Sequence, residues 1–236
     1  MPDHSDSTPI LLVPGLNCSP RLYAAQIPAL WRLGLVVVAD HRRDDTIAGI
    51  ARHILAAAPS RFRLAGLSMG GYIALEIMRQ AAGRVVKLAL LDTSARPETP
   101  EQTERRGKLI ALAKAGRFAE VNNFLWPLLV DPSRQKDSVL RAEIDKMAEE
   151  TGAEAFVRQN RAVIGRADSR PMLGAIACPT LMIVGEHDQL TPPAHAEEIA
   201  KGIPGAKLVT IAGSGHMSPM EKPEEVTKLL VDFFAG

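Results

Sequence analysis

The run Gly66-Leu67-Ser68-Met69-Gly70-Gly71 constrains this chain more than any other. It follows the apolar stretch Phe62–Ala65 and precedes the helical pattern Tyr72-Ile73-Ala74-Leu75-Glu76-Ile77-Met78. A serine at Gly-x-Ser-x-Gly spacing between a buried strand and a helix reads as a tight elbow. Side chains two residues either side of Ser68 would collide in such a turn, which accounts for Gly66 and Gly70. The elbow lifts the Ser68 hydroxyl clear of the sheet and sets the Met69 N–H at a helix N-terminus, where it can face a developing oxyanion. Without those flanks the same letters describe an ordinary Gly-rich turn. With them, Ser68 is the candidate nucleophile.

The rest of the chain supplies the frame such an elbow needs. Apolar runs at Ile10–Val13, Leu35–Ala39, Phe62–Ala65, Val86–Leu91, Thr180–Val184 and Lys207–Ile211 predict strands buried on both faces. Helical patterns lie between and after them, at Leu22–Leu30, Thr46–Ala57, Gly70–Ala82, His195–Gly202 and Glu224–Phe234. This alternation predicts an α/β fold of parallel βαβ units. Asp45 is the expected cap of the helix after it, Pro192-Pro193 suits a helix start, and Pro223 suits a first turn. With 236 residues, 46% of them apolar, one sizeable core can be buried.

One connection is out of proportion. From Asp92 to Thr180 no convincing strand occurs, over about three times the roughly 30 residues of a βαβ unit. Helical patterns fill it at Thr99–Gly116, Phe118–Trp126, Lys136–Glu150 and Ala153–Ala167, broken by Gly116, Pro127, Pro132 and Gly152. An insertion leaving the C-terminal edge of a strand is placed either to roof a ligand site there or to serve as packing alone.

A serine hydroxyl needs a base. Of six histidines, His4 lies in a polar tail, and His53 and His195 fall in helical patterns. His41 ends a strand at the same sheet edge and stays a candidate pocket residue. His216 follows the last strand within Gly213-Ser214-Gly215-His216-Met217-Ser218-Pro219, a loop able to reach back over the edge. An acid should orient that imidazole. Asp188, in Val184-Gly185-Glu186-His187-Asp188, gives the chain order Ser68, Asp188, His216; Asp92 is the reserve.

Charge excludes other classes. Lys and Arg number 28 against 27 Asp and Glu, a net +1, so no concentrated positive field exists for nucleic acid. No apolar run approaches a membrane span, and the polar, acidic start Met1-Pro2-Asp3-His4-Ser5-Asp6 lacks the features of a signal peptide. Two cysteines, Cys18 and Cys178, fit a reducing interior, so a cytoplasmic protein is expected, with Cys18 a small buried thiol. No metal or nucleotide motif is present, and no cofactor is expected.

Taken together, the Ser68 elbow, the Gly185-x-x-Asp188 turn and the Gly215-His216 loop followed by Glu221-x-Pro223-Glu224-Glu225 resemble the α/β-hydrolase fold superfamily. The likeness is to its capped carboxylesterases and cofactor-free haloperoxidase-like hydrolases, and Asp168-Ser169-Arg170-Pro171 resembles the return from their cap. The resemblance implies an α/β-hydrolase fold: a mostly parallel sheet of about six strands in the order 2-1-3-4-5-6, flanked by helices, without the family's two leading strands. A helical cap, residues 95–171, would follow the fourth strand, on a core of 1–94 and 172–236. It also implies that Leu16, in Leu12-Val13-Pro14-Gly15-Leu16-Asn17, gives the second oxyanion N–H beside Met69. Many relatives have His-Gly where this chain has Pro14-Gly15, so the loop must be held differently. The implied activity is hydrolysis of apolar small-molecule esters by a monomer or homodimer. C–C bond, lactone or thioester cleavage, perhydrolysis, or slow turnover by a ligand receptor remain open on the same triad. Phe118, Phe124, Leu125, Trp126, Leu128 and Met147 are the candidate pocket residues, Phe124 and Trp126 foremost.

Overall fold

Alternation along the strands decides the layering. In the computed structural model, which describes residues 8–236, the chain runs β1 (Ile10–Val13), α1 (Ile27–Leu30), β2 (Val36–Val38), α2 (Ile47–Ala57), β3 (Phe62–Leu67), α3 (Met69–Ala81) and β4 (Val85–Leu91). It continues through α4 (Pro100–Lys114), α5 (Phe118–Leu129), α6 (Ser138–Thr151) and α7 (Ala153–Ile164). It returns as β5 (Thr180–Gly185), α8 (Pro193–Gly202), β6 (Lys207–Ile211), α9 (Ser218–Glu221) and α10 (Pro223–Ala235). Leu11, Val13, Leu64 and Leu90 point to one face and pack with Ile50 of α2, Ile73 of α3 and Ile199 of α8. Their neighbours Ile10, Leu12, Ala65 and Leu91 point to the other, with Leu30 of α1 and Leu230 and Phe234 of α10. The polar start Met1 to Asp6, His4 included, lies outside the described residues.

The six strands are all parallel, in the order β2-β1-β3-β4-β5-β6, the order expected. Burial on both faces holds for β1, β3 and β5 and for Leu88–Leu91 of β4, whose Val86 and Lys87 are half-buried, but not at the edges: β2 is half-buried, and β6 exposes Lys207, Leu208 and Thr210. Two local expectations are corrected. The Leu22–Leu30 pattern is not one helix but a short turn at Pro20–Tyr23 and then α1, because Pro28 has no N–H to continue a helix through it. Thr46, not Asp45, caps α2, its hydroxyl accepting the Gly49 N–H at 3.0 Å. Pro193 and Pro223 do open α8 and α10.

Four helices fill the long connection, and α4 opens with a reciprocal cap between Thr99 and Gln102. Gly116 and Gly152 end helices at positive φ, whereas Pro127 does not: α5 continues past it to Leu129. Pro127 deprives α5 of the one bond its N–H would have given the Asn123 carbonyl, and the helix runs only to Leu129 beyond it. Leu109, Ala113, Val121, Phe156 and Val157 give the insertion a small core of its own. Trp126, Leu140, Ile144 and Met147 tie it to the apolar layer beneath the sheet edge.

Candidate active site

Ser68 occupies the turn between β3 and α3 with φ 54° and ψ −115°, a backbone conformation that side chains rarely adopt. Its N–H is held by the Leu91 carbonyl at 2.9 Å, and its own carbonyl accepts the Gly71 N–H and the Thr93 hydroxyl. A Cβ on Gly66 would stand 2.2 Å from the Gly70 carbonyl oxygen, so the elbow does exclude it. Gly70 is excluded by something other than its partner glycine. A Cβ there would lie 2.1 Å from the Val13 carbonyl oxygen at the end of β1.

His216 reaches Ser68 from the loop after β6. Its Nε2 lies 2.8 Å from the Ser68 hydroxyl oxygen, and its Nδ1 lies 2.8 Å from Asp188 Oδ2. An Nδ1–H donated to the carboxylate leaves Nε2 free to accept the Ser68 proton. Asp188 also accepts the Leu190 and Thr191 N–H groups and the Thr191 hydroxyl. Burial alone would lower the His216 pKa, but the Asp188 charge and hydrogen bond outweigh it and hold the imidazole above its usual value. Burial works against Asp188 as well, yet the facing His216 and these donors hold its carboxyl below the ordinary range.

Two further acids build the frame. Asp92, the reserve, is wholly buried behind the triad, accepting the Gly185 N–H at 2.8 Å and lying 2.5 Å from the Ser218 hydroxyl. Burial and then the Asp188 charge push its carboxyl up to about 8. Glu221 accepts the N–H groups of Gly215, Met217 and Asp131, which fixes the His216 loop against the end of α5. Gly185 and Gly215 meet there, since a Cβ on Gly185 would fall 2.0 Å from the Gly215 carbonyl oxygen.

Leu16 sits in the turn after β1, closed by Cys18 N–H to the Gly15 carbonyl at 3.2 Å, with Asn17 at φ 61°. As the first central residue of that turn, Leu16 does not spend its N–H on closing it. Met69 opens α3, so its N–H has no partner within the helix. Both residues stand beside Ser68, the Leu16 turn lining the same cavity. The Pro14-Gly15 loop is held by buried His41, which donates its Nε2–H to the Gly15 carbonyl at 2.8 Å and is not a cavity residue. The insertion grips the turn too. Gln159 Oε1 accepts the Asn17 N–H, and the Asn17 amide donates to Asn122 Oδ1 at 3.1 Å. Asn122 in turn donates to Asp145 at 2.9 Å.

A cavity of about 180 Å³ opens on Ser68 and His216 between this turn and the insertion. Leu109, Leu125, Leu129, Ile144 and Met147 line it from the insertion, with Leu16, Cys18 and Met217 from the core. Of the residues the sequence offers, Leu125 and Met147 line it, whereas the foremost two, Phe124 and Trp126, do not. Phe124 is 50% exposed, while Trp126 is buried under Arg141 with its indole N–H donated to the Gln135 carbonyl. Phe118 packs on Phe156 instead, 5.3 Å between ring centres, and Leu128 is also outside the lining. Cys18 is buried, its thiol against the Leu16 carbonyl at 3.5 Å, and burial pushes it up to about 12. His187 pairs with Asp131 at 2.5 Å, away from the triad. Among the described residues no cluster of His, Cys, Asp or Glu has a metal-binding arrangement, and no helix is long and apolar enough to cross a membrane.

Residues 10–229 match the model of the Alpha/beta hydrolase family. The chain is 26% identical over 250 residues to a putative carbamate hydrolase RutD of Pseudomonas savastanoi pv. phaseolicola, covering 98% of this chain and 95% of that one. The structure is similar to the enol-lactonase of Burkholderia xenovorans, with a TM-score of 0.90 and 26% identity over 99% of this chain and 93% of the other. A thermophilic esterase of Thermogutta terrifontis gives a TM-score of 0.86 and 28% identity over 97% and 89%. These relatives are hydrolases.

Proposed function

The chain belongs to the alpha/beta hydrolase family, and from that premise we propose that it is a serine hydrolase cleaving carboxylic esters of small molecules through an acyl-enzyme. The observation that carries the reading is the unbroken hydrogen-bond chain from Ser68 through His216 to Asp188 at the floor of a cavity. In this mechanism His216 takes the Ser68 proton as the oxygen attacks the ester carbonyl, while Asp188 stabilises the imidazolium. The Leu16 and Met69 N–H groups receive the oxyanion of the tetrahedral intermediate. His216 then protonates the departing alcohol, and water releases the acid by the same steps.

Residues 95–171 act as a cap over the cavity on a core of 1–94 and 172–236. Their Leu109, Leu125 and Met147 supply apolar walls for the part of the substrate remote from the carbonyl. Turnover of an activated ester, lost in Ser68→Ala together with fluorophosphonate labelling, tests the reading; label on any other residue overturns it. The likeness to an enol-lactonase makes a lactone the second substrate to assay, since ring opening uses the same atoms.

A further inference from the structure

The cavity's lining has a charge pattern that ester hydrolysis does not require. Arg96, Arg105, Arg106 and Arg166 line it, and among the described residues no aspartate or glutamate does. Three of these guanidiniums have acidic partners behind the wall. Arg96 pairs with Glu198 at 2.8 Å, while Arg106 and Arg166 share the single carboxylate of buried Glu98. Arg166 is further fixed by the Arg96 and Val163 carbonyls and lies over the Tyr72 ring, and Arg106 donates to Asn160. Arg105 has neither an ion pair nor a hydrogen bond to any described residue.

Two carboxylates thus serve four guanidiniums, and the excess positive charge faces the cavity. A guanidinium cannot shed its proton at neutral pH, and a like charge beside it in a partly dry wall is unfavourable until an anion arrives. Its planar fork matches a carboxylate in two parallel hydrogen bonds. The cavity is smaller than the ~300–1,000 Å³ typical of sites for drug-sized ligands, so the anion must be carried on a short chain.

We propose that Arg105 seats a carboxylate of the substrate, so that the preferred esters are half-esters or lactones of short dicarboxylic acids. This deepens the serine-hydrolase reading and rests on it for its kinetic test. The carboxylate is a handle and is not transformed. The apolar side chains that line the same cavity, Leu16, Leu109 and Leu125 among them, cover the methylenes that join the two ends.

The test compares the para-nitrophenyl half-ester of glutaric acid with its neutral isostere, in which a methyl ketone replaces the free carboxylate. Wild-type protein is expected to favour the half-ester by at least tenfold in kcat/KM. Arg105→Met and Arg105→Gln, each shown to be folded, should reduce that ratio at least tenfold, Arg105→Lys should retain part of it, and added salt should lower it. A wild-type ratio near one, or a ratio unchanged in the folded variants, overturns the proposal. If neither ester is turned over, the hydrolase reading fails and calorimetric titration with monomethyl glutarate decides this one. Binding to wild type that is lost in Arg105→Met supports the carboxylate seat; no binding, or equal binding, overturns it.

Discussion

Gln159, at the heart of α7, accepts the backbone N–H of Asn17 at 2.9 Å, although 142 positions separate them in the chain. The insertion therefore holds the very turn whose Leu16 N–H is proposed to meet the oxyanion. Gln159→Leu removes the acceptor and strands a buried donor, which costs about 1–3 kcal/mol of stability. Loss of that anchor should also lower kcat on an activated ester by about 10–100-fold, less than the roughly 100–1,000-fold seen when an oxyanion donor is removed outright. KM should change little, and Gln159→Glu, which keeps an acceptor oxygen, should recover part of the rate. Equal activity of folded Gln159→Leu and wild type would remove the insertion from the chemistry.

The two buried aspartates should separate cleanly. Asp188→Asn leaves the imidazole without its orienting charge and should reduce kcat by as much as about 10⁴ without unfolding the protein. Asp92→Asn should keep most activity, since an amide can still accept from Gly185 and donate to Ser218. If steady-state rates rank the variants the other way, Asp92 is the acid.

A pH dependence of stability follows from the same residue. The Asp92 carboxyl is raised from its ordinary 3.8 to about 8, so the folded state holds a proton that the unfolded chain releases. Its contribution is complete below pH 3.8 and is lost as pH rises toward 8. Thermal melts from pH 4 to pH 8 should show Asp92→Asn gaining on wild type throughout that window. Parallel curves would mean that Asp92 is ionised in the folded protein.

The His216 pKa is held above 6.5, and its neutral form must be present to accept the Ser68 proton. The kcat/KM profile on an activated ester should therefore rise with pH to a midpoint above 6.5 and then level off. In Asp188→Asn the residual rate should show a lower midpoint, because the raising charge is gone. A midpoint below 6.5 in wild type contradicts the arrangement.

Acyl-chain preference should respond to the residues that line the cavity and not to their neighbours. Leu125→Ala should shift relative kcat/KM between adjacent chain lengths by about 1–3 kcal/mol. Phe124→Ala, half exposed, should leave the profile unchanged. Trp126→Ala should act through stability, costing about 3–5 kcal/mol. A profile altered by Phe124→Ala would place a substrate contact on the outer face of α5.

What the sequence made legible follows from how local each signal is. The elbow, the Asp188 turn and the His216 loop each lie within a few residues, and chain order at one sheet edge brings them together. Apolarity alone does not show that β6 is an edge, because Leu208, Val209 and Ile211 look like an interior strand and no local signal marks β6 as the last of the sheet. Helical periodicity on α5 marked an apolar stripe but not its neighbour, so Trp126 was assigned to a cavity when α6 takes it. The four arginines stand at scattered positions, and only folding of the insertion gathers them on one wall. Gln159 was invisible for the same reason.

Cys18 gives the cavity a sulfur atom without a sulfur nucleophile. With its thiol pushed up to about 12, only about one molecule in a hundred thousand carries the thiolate at neutral pH. Oxidants and alkylating agents attack that form, so they should pass Cys18 by, and storage without a reductant should leave its thiol intact. A covalent inhibitor with a warhead chosen for serine therefore meets no thiolate at Cys18 to distract it from Ser68.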